Sequence, residues 1–196
     1  MADKTKELKE KLVKHFRKNR GRLREQWVKE MIAKGFLNKL SQQEIETESE
    51  TIYDTCIDCL AEKTFEGAEM YARSMAEKGV LKVMTSEEIM GGMLTLRDVY
   101  GRSLFDKYQD RKTLLYEALS IYEPVADKIL SIVAMAFVEE KTRGLEELKS
   151  KLEIKVKERT SELEEKVKEL EKFNRLTVGR ELRMMELKKR MKEQNK

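Results

Sequence analysis

The stretch from Arg111 to Leu170 constrains this chain most, because its apolar residues change pattern midway while only one proline interrupts it. From Leu114 to Val138 the apolar positions, among them Ala118, Tyr122, Ile129, Val133 and Phe137, cover more than one face of a helix. Such a helix packs against its own domain and against a partner as well. Beyond it, Leu145, Leu148, Leu152, Val156, Thr160, Leu163, Val167 and Leu170 recur at steps of 3, 4, 4, 4, 3, 4 and 3. This is a heptad seam with one extra four-residue step, a stutter. A single seam cannot bury itself, so the chain is expected to dimerise. Identical globular heads at one end make a parallel pair the simpler closed arrangement. Pro124 removes one backbone donor, and either kinks the helix or restarts it with the proline in the first turn.

The segments before this stretch read as helices as well. Leu8, Leu12, Phe16, Leu23, Trp27 and Met31 form one amphipathic stripe, with Gly21 as its expected weak point and Gly35 near its end. Ser41 with Glu44 is a capping-box pattern for a helix whose inner face is Ile45, Ile52, Tyr53, Cys56, Ile57 and Leu60. A shorter helix with Phe65, Ala68, Tyr71, Ala72 and Met75 inward is stopped by Gly79. Thr85 with Glu88, or Ser86 instead, opens the next, whose wide apolar face includes Ile89, Met90, Met93, Leu94, Leu96, Val99, Tyr100, Leu104, Phe105 and Tyr108. A tight connection at Gln109-Asp110 makes this helix and the following one an antiparallel hairpin. The expected boundary between body and extension is Glu139 to Gly144, which gives domains 1–143 and 144–196. After Leu170 the seam slips through Phe173, Leu176, Val178, Leu182, Met185, Leu187 and Met191, with Gly179 among them, so a kinked helix or a frayed tail is expected there.

Composition narrows the function classes. Charged residues make up 40% of the chain, yet the net charge is only +4. Interleaved signs of this kind belong to solvated helix surfaces. The basic start, from Lys4 to Arg24, alternates with Asp3, Glu7, Glu10 and Glu25 and has no interleaved stacking aromatics, so nucleic acid is not the favoured partner. No apolar run is long enough to cross a bilayer and no signal-peptide core opens the chain, so a soluble, cytoplasmic protein is expected. Two cysteines three residues apart make no disulfide framework.

The residues that could carry chemistry are few. Cys56-Ile-Asp-Cys59 matches CxxC but lies mid-helix, away from the amide dipoles that would lower a thiol pKa, and core packing is preferred to a redox or metal role. His15 is the only histidine, which rules out a multi-histidine metal site and haem ligation by a histidine in the later helices; a surface or interface role is preferred. Methionines 70, 75, 84, 90 and 93 could line an adaptable pocket, although their helical spacing suits core packing. Phosphate loops, nucleophile elbows and paired catalytic acids are lacking, so the expected protein is not an enzyme and needs no cofactor.

Several stretches bear a family resemblance. Leu23-Arg-Glu-Gln-Trp27, Ser86-Glu-Glu-Ile89 with Leu94-Thr-Leu-Arg97, and Phe137-Val-Glu-Glu140 resemble the N-terminal sensory domain of RsbR-type stressosome proteins, over about Leu12 to Thr142. Leu152 to Leu187, with Val156-Lys-Glu-Arg-Thr160, Glu162-Leu-Glu-Glu165 and Leu176-Thr-Val-Gly-Arg-Glu-Leu182, is similar to the signalling coiled coils that precede output domains in bacterial sensor kinases. The resemblance implies an all-α, globin-like body without haem, whose last two helices pair with those of a second copy in a four-helix bundle. It implies a homodimeric sensory module acting on a protein partner or output domain at its C-terminus, and it leaves room for a small apolar ligand in the body. No STAS domain or kinase region follows, so the expected chain is either a truncated input module or a stand-alone signalling protein. The rival is a dimeric scaffold with a filled core and no sensed ligand.

Overall fold

Two capping boxes and three left-handed stops set the main helix boundaries in the computed structural model, which describes the backbone of residues 2–194 and the side chains of residues 4–188. The side chains of Asp3 and Met191, both named above, lie outside the described residues. The described chain is all-α: α1 (Ala2–Lys18), α2 (Arg20–Ala33), α3 (Gln42–Glu62), α4 (Glu66–Glu77), α5 (Val80–Val83), α6 (Ser86–Tyr108) and α7 (Lys112–Gln194), with no strand. Its contacts divide it into two units, Met1–Arg143 and Gly144–Lys196.

Local chemistry explains most of the boundaries. Ser41 and Glu44 cap α3 reciprocally, and Thr85, not Ser86, does the same with Glu88 for α6. Gly35 takes φ 75° and the Phe36 N–H donates to the Met31 carbonyl, which closes α2 in a Schellman-type stop. Gly79 takes φ 76° after α4, as its position in the sequence suggested. Lys63 ends α3 at φ 61° with no glycine to announce it, its N–H held by the Cys59 carbonyl at 3.1 Å.

The break in the first stripe is two residues earlier than expected. It falls at Asn19, with φ −100° and ψ 12°, while Gly21 is an ordinary residue of α2. The Asn19 side chain donates to the His15 carbonyl at 2.8 Å. An asparagine that binds local backbone in this way competes with helix propagation more directly than glycine's freedom does.

The core of the first unit is built around four rings from four helices. Phe16 of α1 meets Tyr100 of α6 edge-on at 4.5 Å, and Tyr100 stacks on Tyr53 of α3 at 5.0 Å and on Tyr122 of α7 at 5.5 Å. Each phenol is satisfied by a main-chain carbonyl of another helix: Tyr53 donates to Phe16, Tyr100 to Tyr53 and Tyr122 to Arg97. Buried hydroxyls need such partners. Around this centre an ion ladder joins the first two helices to α3, with Arg17 on Asp58, Arg20 bidentate on Asp54 and Arg24 on Glu50. Three arginines of the basic start are thereby paired with α3.

Helices α6 and α7 run antiparallel within this unit. Arg97 pairs with Asp127 at 3.1 Å, and the Tyr122 hydroxyl reaches the Arg97 carbonyl across the hairpin. The turn is tight, with the Arg111 N–H on the Tyr108 carbonyl at 2.8 Å. Helix α7 continues through Pro124 without restarting there. Its buried apolar residues, Ala118, Tyr122, Ile129, Val133 and Phe137, occupy one face. Leu94 and Phe105 of α6 and Met70 of α4, expected to turn inward, are exposed.

Helices α2 and α6 approach closely where Gly91 and Gly92 lie side by side. A Cβ at Gly91 would run into the Phe36 ring, whereas one at Gly101 would meet nothing within 4 Å. Gly91→Ala is therefore expected to destabilise by about 1–3 kcal/mol through overpacking. Gly101→Ala is expected to stabilise by about 0.5–1 kcal/mol through helix propensity. Thermal unfolding of the two variants, which should move in opposite directions, checks both.

Candidate functional site

The second unit offers one feature, its row of apolar side chains. Leu145, Leu148, Leu152, Val156, Leu163, Val167 and Leu170 are all exposed, from 52% at Val167 to 67% at Leu145 and Leu170. Phe173, Leu176, Leu182, Met185 and Leu187 beyond them are exposed as well. Between these residues the helix is laced with local ion pairs such as Lys149–Glu153 and Arg159–Glu162. A contiguous exposed apolar row of this kind, rimmed by charges, is the candidate site of the second unit.

In the first unit the chemistry-bearing residues scatter. Cys59 is buried in the last turn of α3 and Cys56, one turn earlier, is half-buried, both far from the helix N-terminus, and burial pushes both thiols up from the usual range. A thiol held protonated is a poor nucleophile. Both are expected to react with a disulfide reagent at pH 8 at least tenfold more slowly than a free cysteine until the protein unfolds, as thiol release followed by absorbance would show. Among the described residues no group of three or more potential metal ligands comes together.

His15 does not lie open on the surface. It is half-buried, its Nε2 lies 2.8 Å from Ser103 Oγ of α6, and Asn19 Nδ2 lies 3.3 Å from its Nδ1. With Nδ1 accepting from the Asn19 amide, Nε2–H donates to Ser103. Burial, with Lys107 and Arg22 nearby, pushes its pKa down to about 4. The folded protein thus binds this proton less readily than the unfolded chain does. Stability is whole above about pH 6.5 and is lost as pH falls toward 4. His15→Gln keeps a donor toward Ser103. It is expected to remove about 1–2 kcal/mol of this acid sensitivity, after discount for solvent screening, in urea titrations between pH 7 and 4.

The other candidate is a cavity of about 50 Å³ between α2, α3, α4, α5 and α6, with Val133 of α7 also in its wall. Trp27, Met31, Ile52, Met75, Met84 and Ile89 make its lining almost wholly apolar. Four methionines, 31, 75, 84 and 93, belong to the lining, and the last three of these are among the five that the sequence had singled out. Trp27 is fixed by donating its indole N–H to the Gly92 carbonyl at 2.9 Å. The polar members include Glu48, whose Oε1 accepts from Lys78 at 2.8 Å. Its Oε2 is the one buried side-chain oxygen or nitrogen without a hydrogen-bond partner among the described residues. Tyr71, also in the wall, has its phenol pushed well above the ordinary range by burial and then by the charge of Glu48. Glu48 went unnoticed in the sequence because it reads as one more acid in Glu44-Ile-Glu-Thr-Glu-Ser-Glu50. Its position three after Ile45 and four before Ile52 puts it on the inward face, and that signal could have found it.

Compared with models of protein families, with curated proteins and with solved structures, the chain matches none. What the protein does is therefore argued from the seam and the cavity themselves.

Proposed function

We propose that the protein is a homodimeric signal-transduction module, in which residues 1–143 form a sensory body and residues 144–196 a parallel coiled coil that passes a change in helix packing to a protein partner or output domain. The observation that carries this reading is the uncovered seam from Leu145 to Leu170 on the same helix that supplies Ala118, Tyr122, Ile129, Val133 and Phe137 to the core. Exposed apolar residues at 3 and 4 spacing are what a second copy of the same helix covers.

Two further features support it. Tyr116, Met135 and Val138 of α7 and Phe105 of α6 are exposed in the body, where a four-helix pairing between copies would cover them. The stutter between Leu152 and Val156 gives the coil a local unwinding, hence two close-lying packings for a signal to bias. The globin-like, RsbR-type reading rests on the stretches quoted from the sequence and belongs to the same proposal. The cavity favours a sensor over an inert scaffold, whose core would be filled.

Sedimentation of the full chain and of a version ending at Gly144, at matched concentrations, tests the proposal. Two dimers support a body with its own interface and a coil that acts as an output lever. A dimer for the full chain alone leaves the coil as the sole joint, which favours the scaffold. Monomers in both cases overturn the reading.

A further inference from the structure

Charge is unevenly spread over this chain. It has 41 basic and 37 acidic residues, and one open groove of about 610 Å³, between α1, the end of α6 and the start of α7, is lined by six of the first and two of the second. The whole excess of four positive charges therefore gathers there, and the remainder of the chain is formally neutral. Of the six, Lys4 pairs with Glu117 and Lys11 with Glu7. Lys14, Lys18, Lys107 and Arg111 take part in no ion pair among the described residues, whereas Arg17, Arg20 and Arg24 of the same basic start are each joined to an acid of α3. Other open grooves of the body are balanced or acidic. Arg24 and Lys29 stand with Glu25 and Glu46 between α2 and α3, and the groove between α3 and α4 is lined by Asp58 and Glu62 without a basic residue among those described.

Four cations drawn from α1, α6 and the turn before α7 repel one another, and an anion among them removes that repulsion. The ring of His15 in the groove wall feels the same field: burial first, then the charges of Lys107 and Arg22, disfavour its protonation. Size and chemistry narrow the anion. The volume is that of a small-molecule pocket. A long nucleic-acid strand finds no continuing basic track, because the arginines further along are spent on α3. Lysines, as point charges with three donors each, suit the dense charge of linked phosphates.

We propose that this groove binds a small molecule carrying a diphosphate or triphosphate group, whose oxygens accept from Lys14, Lys18, Lys107 and Arg111. The site is separate from the cavity beside Trp27, and it stands whether or not the chain dimerises.

The experiment titrates the full-length protein with sodium pyrophosphate at neutral pH and constant ionic strength. Calorimetry follows the heat, and the ring resonances of His15, the only histidine of the chain, report on the groove itself. Saturable binding with a dissociation constant on the order of 0.1 mM is expected, together with shifted His15 resonances and a rise in unfolding temperature. Sulfate, with the charge of a single phosphate, is expected to bind at least tenfold more weakly. Lys14→Gln and Lys107→Gln, both at exposed positions, are expected to weaken pyrophosphate at least threefold each. Lys107→Arg keeps the charge and should bind nearly as the parent does. Lys29→Gln removes the same charge from a balanced groove and should leave binding almost unchanged.

Equal binding of sulfate, or equal losses in Lys29→Gln and Lys107→Gln, would mean that only the net charge of the protein is felt, and would overturn the assignment. Binding of a short oligonucleotide or of anionic lipid vesicles that pyrophosphate cannot displace would give the groove to a macromolecular surface and overturn it as well. A titration with neither heat nor a His15 shift does so outright.

Discussion

With Leu152 and Leu163 both replaced by lysine, the full chain is expected to sediment as a monomer at concentrations where the parent is a dimer. Each leucine covered by a partner contributes about 1.5–3 kcal/mol of apolar burial, and a dimer contains four of these side chains. The substitution also places like charges across the seam, which costs more. A dissociation constant weaker by roughly a hundredfold or more follows even if half of the burial is recovered elsewhere. Glu158→Lys, on the opposite side of the helix, adds a charge of the same sign and is expected to leave the mass unchanged. Retention of the dimer in the double variant would show that the seam is not the joint. The body should be unaffected, because Leu152 and Leu163 are both exposed in the single chain.

The largest effect within the body is expected at Phe16. Its side chain is fully buried, lies against both Tyr100 and Tyr122, and sits beside the carbonyl that receives the Tyr53 hydroxyl. Phe16→Ala removes a ring from the centre of four helices and is expected to cost about 3–5 kcal/mol. For a chain of this size that lowers the unfolding temperature by roughly 10 °C. Phe16→Leu, which refills most of the space, should recover more than half of the loss. Calorimetry on both variants checks the pair, and a small loss in Phe16→Ala would mean that the ring cluster is not the keystone of the core.

What could be read from the sequence divides along the range of the interactions involved. Ser41 with Glu44, Thr85 with Glu88, Gly35 and Gly79 act over a few residues, so their effect on helix ends is visible in the string itself. The spacing of the apolar row from Leu145 to Leu170 is equally visible there, since a helix repeats its face at fixed spacing. Asn19 was missed because glycine is the usual weak point, and here a side-chain hydrogen bond does the work instead. The short α5 was missed as well, because four residues carry no periodicity. The cavity could be read only in part, through Met75, Met84 and Met93 of its lining. It depends on pairs such as Trp27 with Gly92 and on the fate of a single oxygen of Glu48, and no local rule brings those together. The exposure of Leu94 and Phe105 has the same origin, for their face of α6 is apolar while its neighbours cover only part of it.

The ring cluster also fixes an order of events during synthesis. Phe16 cannot meet Tyr122, nor Lys82 approach Glu140, until the early part of α7 has left the ribosome. The first helices must therefore wait with their apolar faces unsealed, which is the interval in which a chaperone would be needed. The stretch from Gly144 onward is made last. A nascent chain thus has residues 1–143 in hand before its seam emerges, and in the proposed dimer two chains zip together there as folded bodies rather than as tangled halves.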